Sequence, residues 1–246
     1  MFTVTEGRNR GVTFGLPSHA LGAAEYGHGS TRVHAAVRGP EGNRGMGSYD
    51  GVTVQVHLTR ARGVCAAGAA GRIATTSQRK DQKNRDVQAA LIVQGVLENV
   101  ILSEAYPRSV VTVSLHILRD DGSVLSALLN GAMAALIESG IMCTTTLVAA
   151  TVSFSATGKE CQMFPTADEE SCAAAVGTYV HDSTGLGLLY SDFTVCNSNN
   201  ISGKAIDSSL YAIGEGVCRE RVAASISFLR EELTIAVGQS ATEMSF

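Results

Sequence analysis

The run Ile117-Leu118-Arg119-Asp120-Asp121-Gly122-Ser123-Val124-Leu125 leads straight into Leu128-Leu129-Asn130-Gly131-Ala132-Met133-Ala134-Ala135-Leu136. It reads as the end of a strand, a tight turn and the first turns of a buried helix. The Gly122-Ser123 pair falls at the helix N-terminus. Free backbone N–H groups and the positive end of the helix dipole converge there, which is the geometry that suits an anion. Where an arginine would complete a phosphate clamp, the chain has Val124.

Upstream, Ser109 to Ile117 is the strongest strand signal, with apolar residues at 111, 113, 115 and 117. Downstream, Leu125, Leu128, Leu129, Ala132, Leu136 and Ile137 make the helix apolar, and Gly140 is its C-cap. A second helical pattern runs from about Arg79 to Ser103 and ends at Tyr106-Pro107. Val87, Leu91, Gln94 and Glu98 mark its successive turns, beside an apolar stripe of Ala90, Val93 and Leu97.

Further strands are expected at Thr31–Arg38, closed by Gly39-Pro40, and at Val52–Leu58. The segment from Glu41 to Asp50 reads as a loop, as does the stretch from Arg60 to Ser77. Tyr26 to Arg32 reads as a tight turn. Later strands fall at Leu147–Phe154, Glu160–Phe164, Ala173–Val180 and Leu186–Phe193. A long helix then covers about Ser202 to Leu233, and the final residues read as loose. The order ββαβαββββα indicates an α+β domain without a parallel Rossmann sheet.

With 45% apolar and 17% charged residues in 246, the chain can bury a substantial core. No apolar run is long enough to cross a bilayer, and Met1 to Arg10 lacks the apolar segment of a secretory signal. The cysteines at 65, 143, 161, 172, 196 and 218 show no paired spacing and read as buried, reduced thiols, with a disulfide framework as the minor alternative. Charge is uneven: residues 1–119 carry a net +6 and residues 120–246 a net −10. A basic face of the first half could meet RNA or an acidic subunit, and solvated basic loops are the plainer explanation. Zinc-spaced Cys/His sets, nucleotide loops and nucleophile elbows are missing, and no metal or cofactor is expected. His34, His57 and His116 fall in strands as packed or edge residues.

Several segments together resemble the ribonuclease PH family. They are Gly29-Ser30-Thr31-Arg32-Val33, Ile101 to Arg108, Asp120 to Ser123 with Leu129-Asn130-Gly131-Ala132, and Ala134 to Ile141. Phe164-Pro165-Thr166-Ala167-Asp168-Glu169-Glu170 and Leu189-Tyr190-Ser191-Asp192 resemble, more narrowly, the RNase PH-like ring subunits of the eukaryotic RNA exosome. The resemblance implies an RNase PH fold, with mixed or antiparallel sheets packed with long helices, similar to domain 2 of ribosomal protein S5. It spans roughly residues 20 to 230, and the expected domain is 21–233, with 1–20 as an N-terminal extension and 234–246 as a loose tail.

Active members of that family cleave RNA from its 3′ end with phosphate, held by a Gly-Ser/Thr-Arg turn. Gly122 and Ser123 match this turn and Val124 does not. The family's two aspartates, six residues apart, fall here on Phe164 and Glu170, and a further arginine falls on Gln94. Losing one preorganised anion-stabilising group costs about two to three orders of magnitude in rate. The resemblance therefore implies an inactive homologue, with Gly122, Ser123, Val124, Phe164 and Glu170 as vestigial positions.

The implied role is a non-catalytic subunit of a hetero-hexameric ring, with cap subunits and a separate nuclease as further partners. Such a ring threads single-stranded RNA for 3′–5′ processing and degradation, including rRNA maturation, in nucleus, nucleolus and cytoplasm. Arg60, Arg62, Arg72, Arg79 and Lys80, followed by Lys83 and Arg85, would border the channel and meet RNA. The alternative is a phosphate-dependent 3′–5′ exoribonuclease, acting alone or through a composite site with a neighbour. No membrane partner is expected.

Overall fold

The computed structural model describes residues 3–5, 9–15, 19–42, 51–61, 76–155, 160–195 and 208–243. Among the described residues, ten strands form two five-stranded sheets. The N-terminal sheet contains β2 (Arg10–Thr13), β3 (Gly22–His28), β4 (Thr31–Gly42), β5 (Thr53–Arg60) and β6 (Ser109–Arg119), in the order β2-β3-β4-β6-β5. The C-terminal sheet contains β1 (Thr3–Thr5), β7 (Leu147–Phe154), β8 (Glu160–Met163), β9 (Ala175–Asp182) and β10 (Leu188–Val195), in the order β1-β8-β7-β9-β10. Both are mixed: β5 runs parallel to β6 and β1 parallel to β8, while the remaining pairs are antiparallel. The α+β expectation holds.

Four α-helices lie among the described residues: α1 (Thr76–Val100), α2 (Val124–Ser139), α3 (Ala167–Cys172) and α4 (Ser208–Glu243). The central one is α2, whose residues from Ser126 to Leu136 are all buried. It lies on β3 and β4 of one sheet and reaches β7 of the other. Close approach needs small side chains. A Cβ at Gly131 would already stand 3.4 Å from the Tyr26 side chain.

Asn130 explains how a polar residue survives in that helix. Its amide nitrogen donates to the Ala149 carbonyl at 2.8 Å, and its carbonyl accepts from the Ala149 N–H at 2.8 Å. The same nitrogen also donates to the Tyr26 hydroxyl at 3.2 Å. One side chain thus imitates a neighbouring strand for β7 and ties it to β3, leaving no buried donor unmet at this point. At the helix end, both Glu138 carboxylate oxygens accept backbone N–H bonds, from Gly15 and Ala23, each at 2.6 Å.

Several expectations change. The segment Tyr26–Arg32 is not only a turn: Gly22–His28 is a full strand, and the turn is confined to Gly29 and Ser30. Strand β4 does not stop at Gly39-Pro40. It continues to Gly42 through a register shift between Arg38 and Glu41, the kind of irregularity that accommodates a proline in a ladder. Residues 1–20, set apart as an extension, contain β1 and β2, and both pair into the sheets. Helix α4 runs on to Glu243, through most of the segment read as a loose tail.

Burial selects Val93, Val96, Leu97 and Val100 as the inner stripe of α1, while Val87 and Leu91 are exposed. Among the described residues Cys143, Cys161, Cys172 and Cys218 form no disulfide. Two of these, Cys161 and Cys218, are buried as expected, but Cys172 is exposed.

Candidate functional site: the N-terminus of helix α2

The turn between β6 and α2 folds as its sequence suggests, and a second segment packs directly onto it. Gly122 has φ +87° and Ser123 φ +52°, both in the left-handed region. A Cβ at Gly122 would lie 2.5 Å from the Thr166 carbonyl carbon and 2.6 Å from the Ala167 nitrogen. Only glycine fits. The Ser123 hydroxyl donates to the Pro165 carbonyl at 2.9 Å, and the Ala167 N–H donates to the Asp121 carbonyl at 3.1 Å. Thr31 locks the turn from the other side: its hydroxyl donates to the Gly122 carbonyl at 2.8 Å and accepts from the Asp121 N–H at 3.1 Å.

The 164–170 segment is positioned by its own chemistry. The Thr166 hydroxyl accepts from the Glu169 N–H, while the Glu169 carboxylate accepts from the Thr166 N–H, a capping box that starts α3. This short helix was missed in the sequence, although Thr166 and Glu169 carry its signature. It delivers Glu170 to the α2 N-terminus, where one carboxylate oxygen accepts from the Ser123 N–H at 2.6 Å. The anion that the helix end invites is supplied by the chain itself.

Burial raises the Glu170 carboxyl above its ordinary range, the Ser123 N–H opposes this, and the nearby Asp120 and Asp121 add to the rise. Val124 is half-buried and offers no donor side chain. Phe164 is buried at φ +52°, in a region where aspartate is far better tolerated than a bulky ring. Its ring packs on that of His28, with centroids 4.9 Å apart.

Asp120 accepts the Gly122 N–H through one carboxylate oxygen and turns the other toward Arg60. The Arg60 guanidinium pairs with Asp120 and, at 2.8 Å, with Asp86 of α1. The Arg60 side chain is only 12% exposed and its ionised form is held more firmly than usual; burial opposes that effect and the two carboxylates outweigh it. Arg60 was assigned to RNA from its position, but its charge is already matched within the fold. Arg62 and Arg72 lie outside the described residues, and Arg79 lies in the first turn of α1. Lys80, Lys83 and Arg85 are exposed on α1. Gln94, on the same helix, donates to Glu98 at 3.0 Å. Among the described residues no group of three or more His, Cys, Asp and Glu side chains is arranged to hold a metal ion.

Two α/β layers joined through one buried helix, with a glycine turn at its N-terminus, define an RNase PH-like domain. Residues 6–142 match the 3′ exoribonuclease family, domain 1, and the chain belongs to that family. An exosome complex component RRP41 homolog of Arabidopsis thaliana is 32% identical over 129 residues, covering 52% of this chain and 50% of the relative. The chain thus spans about half the length of the curated relatives it matches.

The crystal structure of rice (Oryza sativa) Rrp46 superposes with a TM-score of 0.72 at 22% identity, covering 93% of this chain and 96% of that one. A chain of the Archaeoglobus fulgidus exosome with RNA bound to the active site gives 0.64 at 18%, covering 90% and 89%. These likenesses establish the RNase PH fold.

Proposed function

We propose that this chain is a non-catalytic ring subunit of an exosome, of the small type described as exosome component 5. It supports 3′–5′ RNA processing and degradation, rRNA maturation included, in nucleus and cytoplasm. The observation that carries this reading is the contact between Glu170 and the Ser123 N–H. A carboxylate occupies the α2 N-terminus, and a phosphate brought there would meet a like charge. Val124 and Phe164, at the positions where active relatives hold an arginine and an aspartate, supply neither a counter-charge nor a proton.

Assembly with other RNase PH-like subunits, cap subunits and a nuclease is supported by the surface. Val87 and Leu91, 52% and 63% exposed, line a groove of about 320 Å³ with Val56 and Leu58 of the edge strand β5. Exposed apolar surface beside a sheet edge is characteristic of protein interfaces. Lys80, Lys83 and Arg85 supply the charge for non-specific contact with single-stranded RNA.

The test is to incubate the protein, alone and in a reconstituted ring, with a 3′-labelled oligoribonucleotide, phosphate and Mg²⁺. No nucleoside diphosphate should be released. Release that is abolished by Glu170→Gln would instead establish a phosphorolytic enzyme, alone or in a composite site.

A further inference from the structure

Alternate residues of β4 turn inward: Val33, Ala35 and Val37 are buried in the core with α2. Val56 and Leu58 of β5 face the same way, toward α1. The residues between them therefore lie on the outer face of the N-terminal sheet. Across that face one row of directly opposed residues runs Glu25 on β3, His34 on β4, His116 on β6 and Thr59 on β5. Taken singly in the sequence, both histidines read as packed or edge residues. Strand pairing sets them side by side.

The imidazole centroids of His34 and His116 are 6.0 Å apart, with the ring planes inclined at 32°. Two imidazoles that share one ion have ring centres about 4.5–6.5 Å apart, given metal–nitrogen bonds of about 2.0–2.1 Å. His116 is exposed and His34 half-buried, so an ion in solution reaches both. Thr59 orients the first of them. Its hydroxyl donates to the Leu115 carbonyl at 3.4 Å and so accepts from Nδ1–H of His116. Nε2 of His116 is then the lone-pair nitrogen, as in a ligating histidine whose other nitrogen is held by a second partner.

Glu25 adds negative charge beside the pair. Opposed residues on adjacent strands have Cβ atoms about 4.5–5.5 Å apart, close enough for that carboxylate to favour a cation at His34. The nearby Arg32 is held elsewhere: its guanidinium lies over Gly27 and donates to the Gly29 and Thr31 carbonyls.

From this arrangement we infer that His34 and His116 bind one divalent transition-metal ion of the zinc class, with water in its remaining positions. Imidazole donors select zinc, cobalt, nickel or copper over magnesium and calcium, which take oxygen ligands. Two protein ligands hold an ion less firmly than the four of a structural zinc site, so this ion exchanges with solution. The site lies on the outer face of the sheet and does not depend on the catalytic status of the α2 turn.

The experiment is isothermal titration of the full chain with Zn²⁺, Co²⁺, Mn²⁺ and Mg²⁺. Zn²⁺ and Co²⁺ should each bind one ion per chain, Mn²⁺ more weakly, and Mg²⁺ not at all over the same range. His34→Gln and His116→Gln each remove one of two ligands and should weaken Zn²⁺ binding by more than about tenfold. Thr59→Val removes only the partner of Nδ1 and should weaken it about tenfold. His57→Gln, elsewhere on the same strand as Thr59, and Cys172→Ser should leave it unchanged. The Co²⁺ complex should lack the charge-transfer absorption of a thiolate ligand. The inference is overturned if folded His34→Gln and His116→Gln proteins bind Zn²⁺ like the parent, or if His57→Gln weakens binding as much. A thiolate band, Mg²⁺ binding equal to that of Zn²⁺, or no binding of any ion would overturn it too.

Discussion

Glu170 and Ser123, 47 residues apart in sequence, are joined by a 2.6 Å hydrogen bond from a backbone N–H to a carboxylate. The bond places a carboxyl group at the positive end of α2, within a pocket of backbone shared with Pro165 and Thr166. Helix ends of this kind recruit anions from solution in many folds. Here the recruitment is intramolecular.

Removing the charge without removing the oxygen tests that relationship. Burial holds the Glu170 carboxyl above its ordinary range, so the folded state keeps the proton more tightly than the unfolded chain. Its contribution to stability is therefore full below the unfolded carboxyl range of about 4.3 and declines as pH rises through the higher folded value. Glu170→Gln does not titrate. Its stability relative to the parent should rise as pH climbs above the unfolded carboxyl range of about 4.3, read as urea midpoints at each pH. A difference that stays flat or falls with pH would refute the assigned protonation.

Arg60 and the lysines of α1 should separate into two behaviours. Arg60→Gln leaves Asp120, whose side chain is only 6% exposed, without its cation, and should cost about 2–4 kcal/mol. Lys80→Gln and Arg85→Gln sit on exposed surface and should stay within about 0.5 kcal/mol. Each of those two should instead lower the salt slope of RNA binding by about 1. Denaturation curves and filter binding at several salt concentrations measure the two effects independently.

Gly122→Ala adds a methyl group where only 2.5 Å separates it from the Thr166 backbone, in a conformation that L-residues avoid. It should destabilise by at least about 2 kcal/mol. Gly140→Ala has the same sign of φ but open space around it, and should cost less. Thermal melts of the two variants side by side give the comparison. Equal costs would show that backbone conformation alone, and not the approach of residues 165–167, makes Gly122 necessary.

Asn130→Ala strips Ala149 of both backbone partners inside the core and should cost about 2–4 kcal/mol. Hydrogen exchange at the Ala149 amide should accelerate beyond the global change, because that N–H donates directly to Asn130.

Much of this architecture could be read from residue patterns. Alternation at Val111, Val113, Leu115 and Ile117 gave β6, and Gly140 marked the end of α2. Strand β3 was harder because Gly22-Ala23-Ala24-Glu25-Tyr26-Gly27-His28 has no β-branched residue, and its strand character comes from pairing with β2 and β4. Six residues of α3 are too few to show a helical period. Positions 124, 164 and 170 of the site were identifiable one by one. The reach of Glu170 to Ser123 and of Arg60 to Asp120 was not, since each joins segments separated by 47 or 60 residues. Local pattern carries no signal for pairs that only the tertiary fold brings together.

The fit of Gly122 beneath Pro165 and Thr166 has a consequence for how such turns are read. Glycine is required there by volume, and Ser123 by the carbonyl of Pro165, whether or not a phosphate ever arrives. In this chain those two letters report packing. The letters that report chemistry are the ones beside them. On the proposed reading, the positions that would carry the charge are 124 and 164.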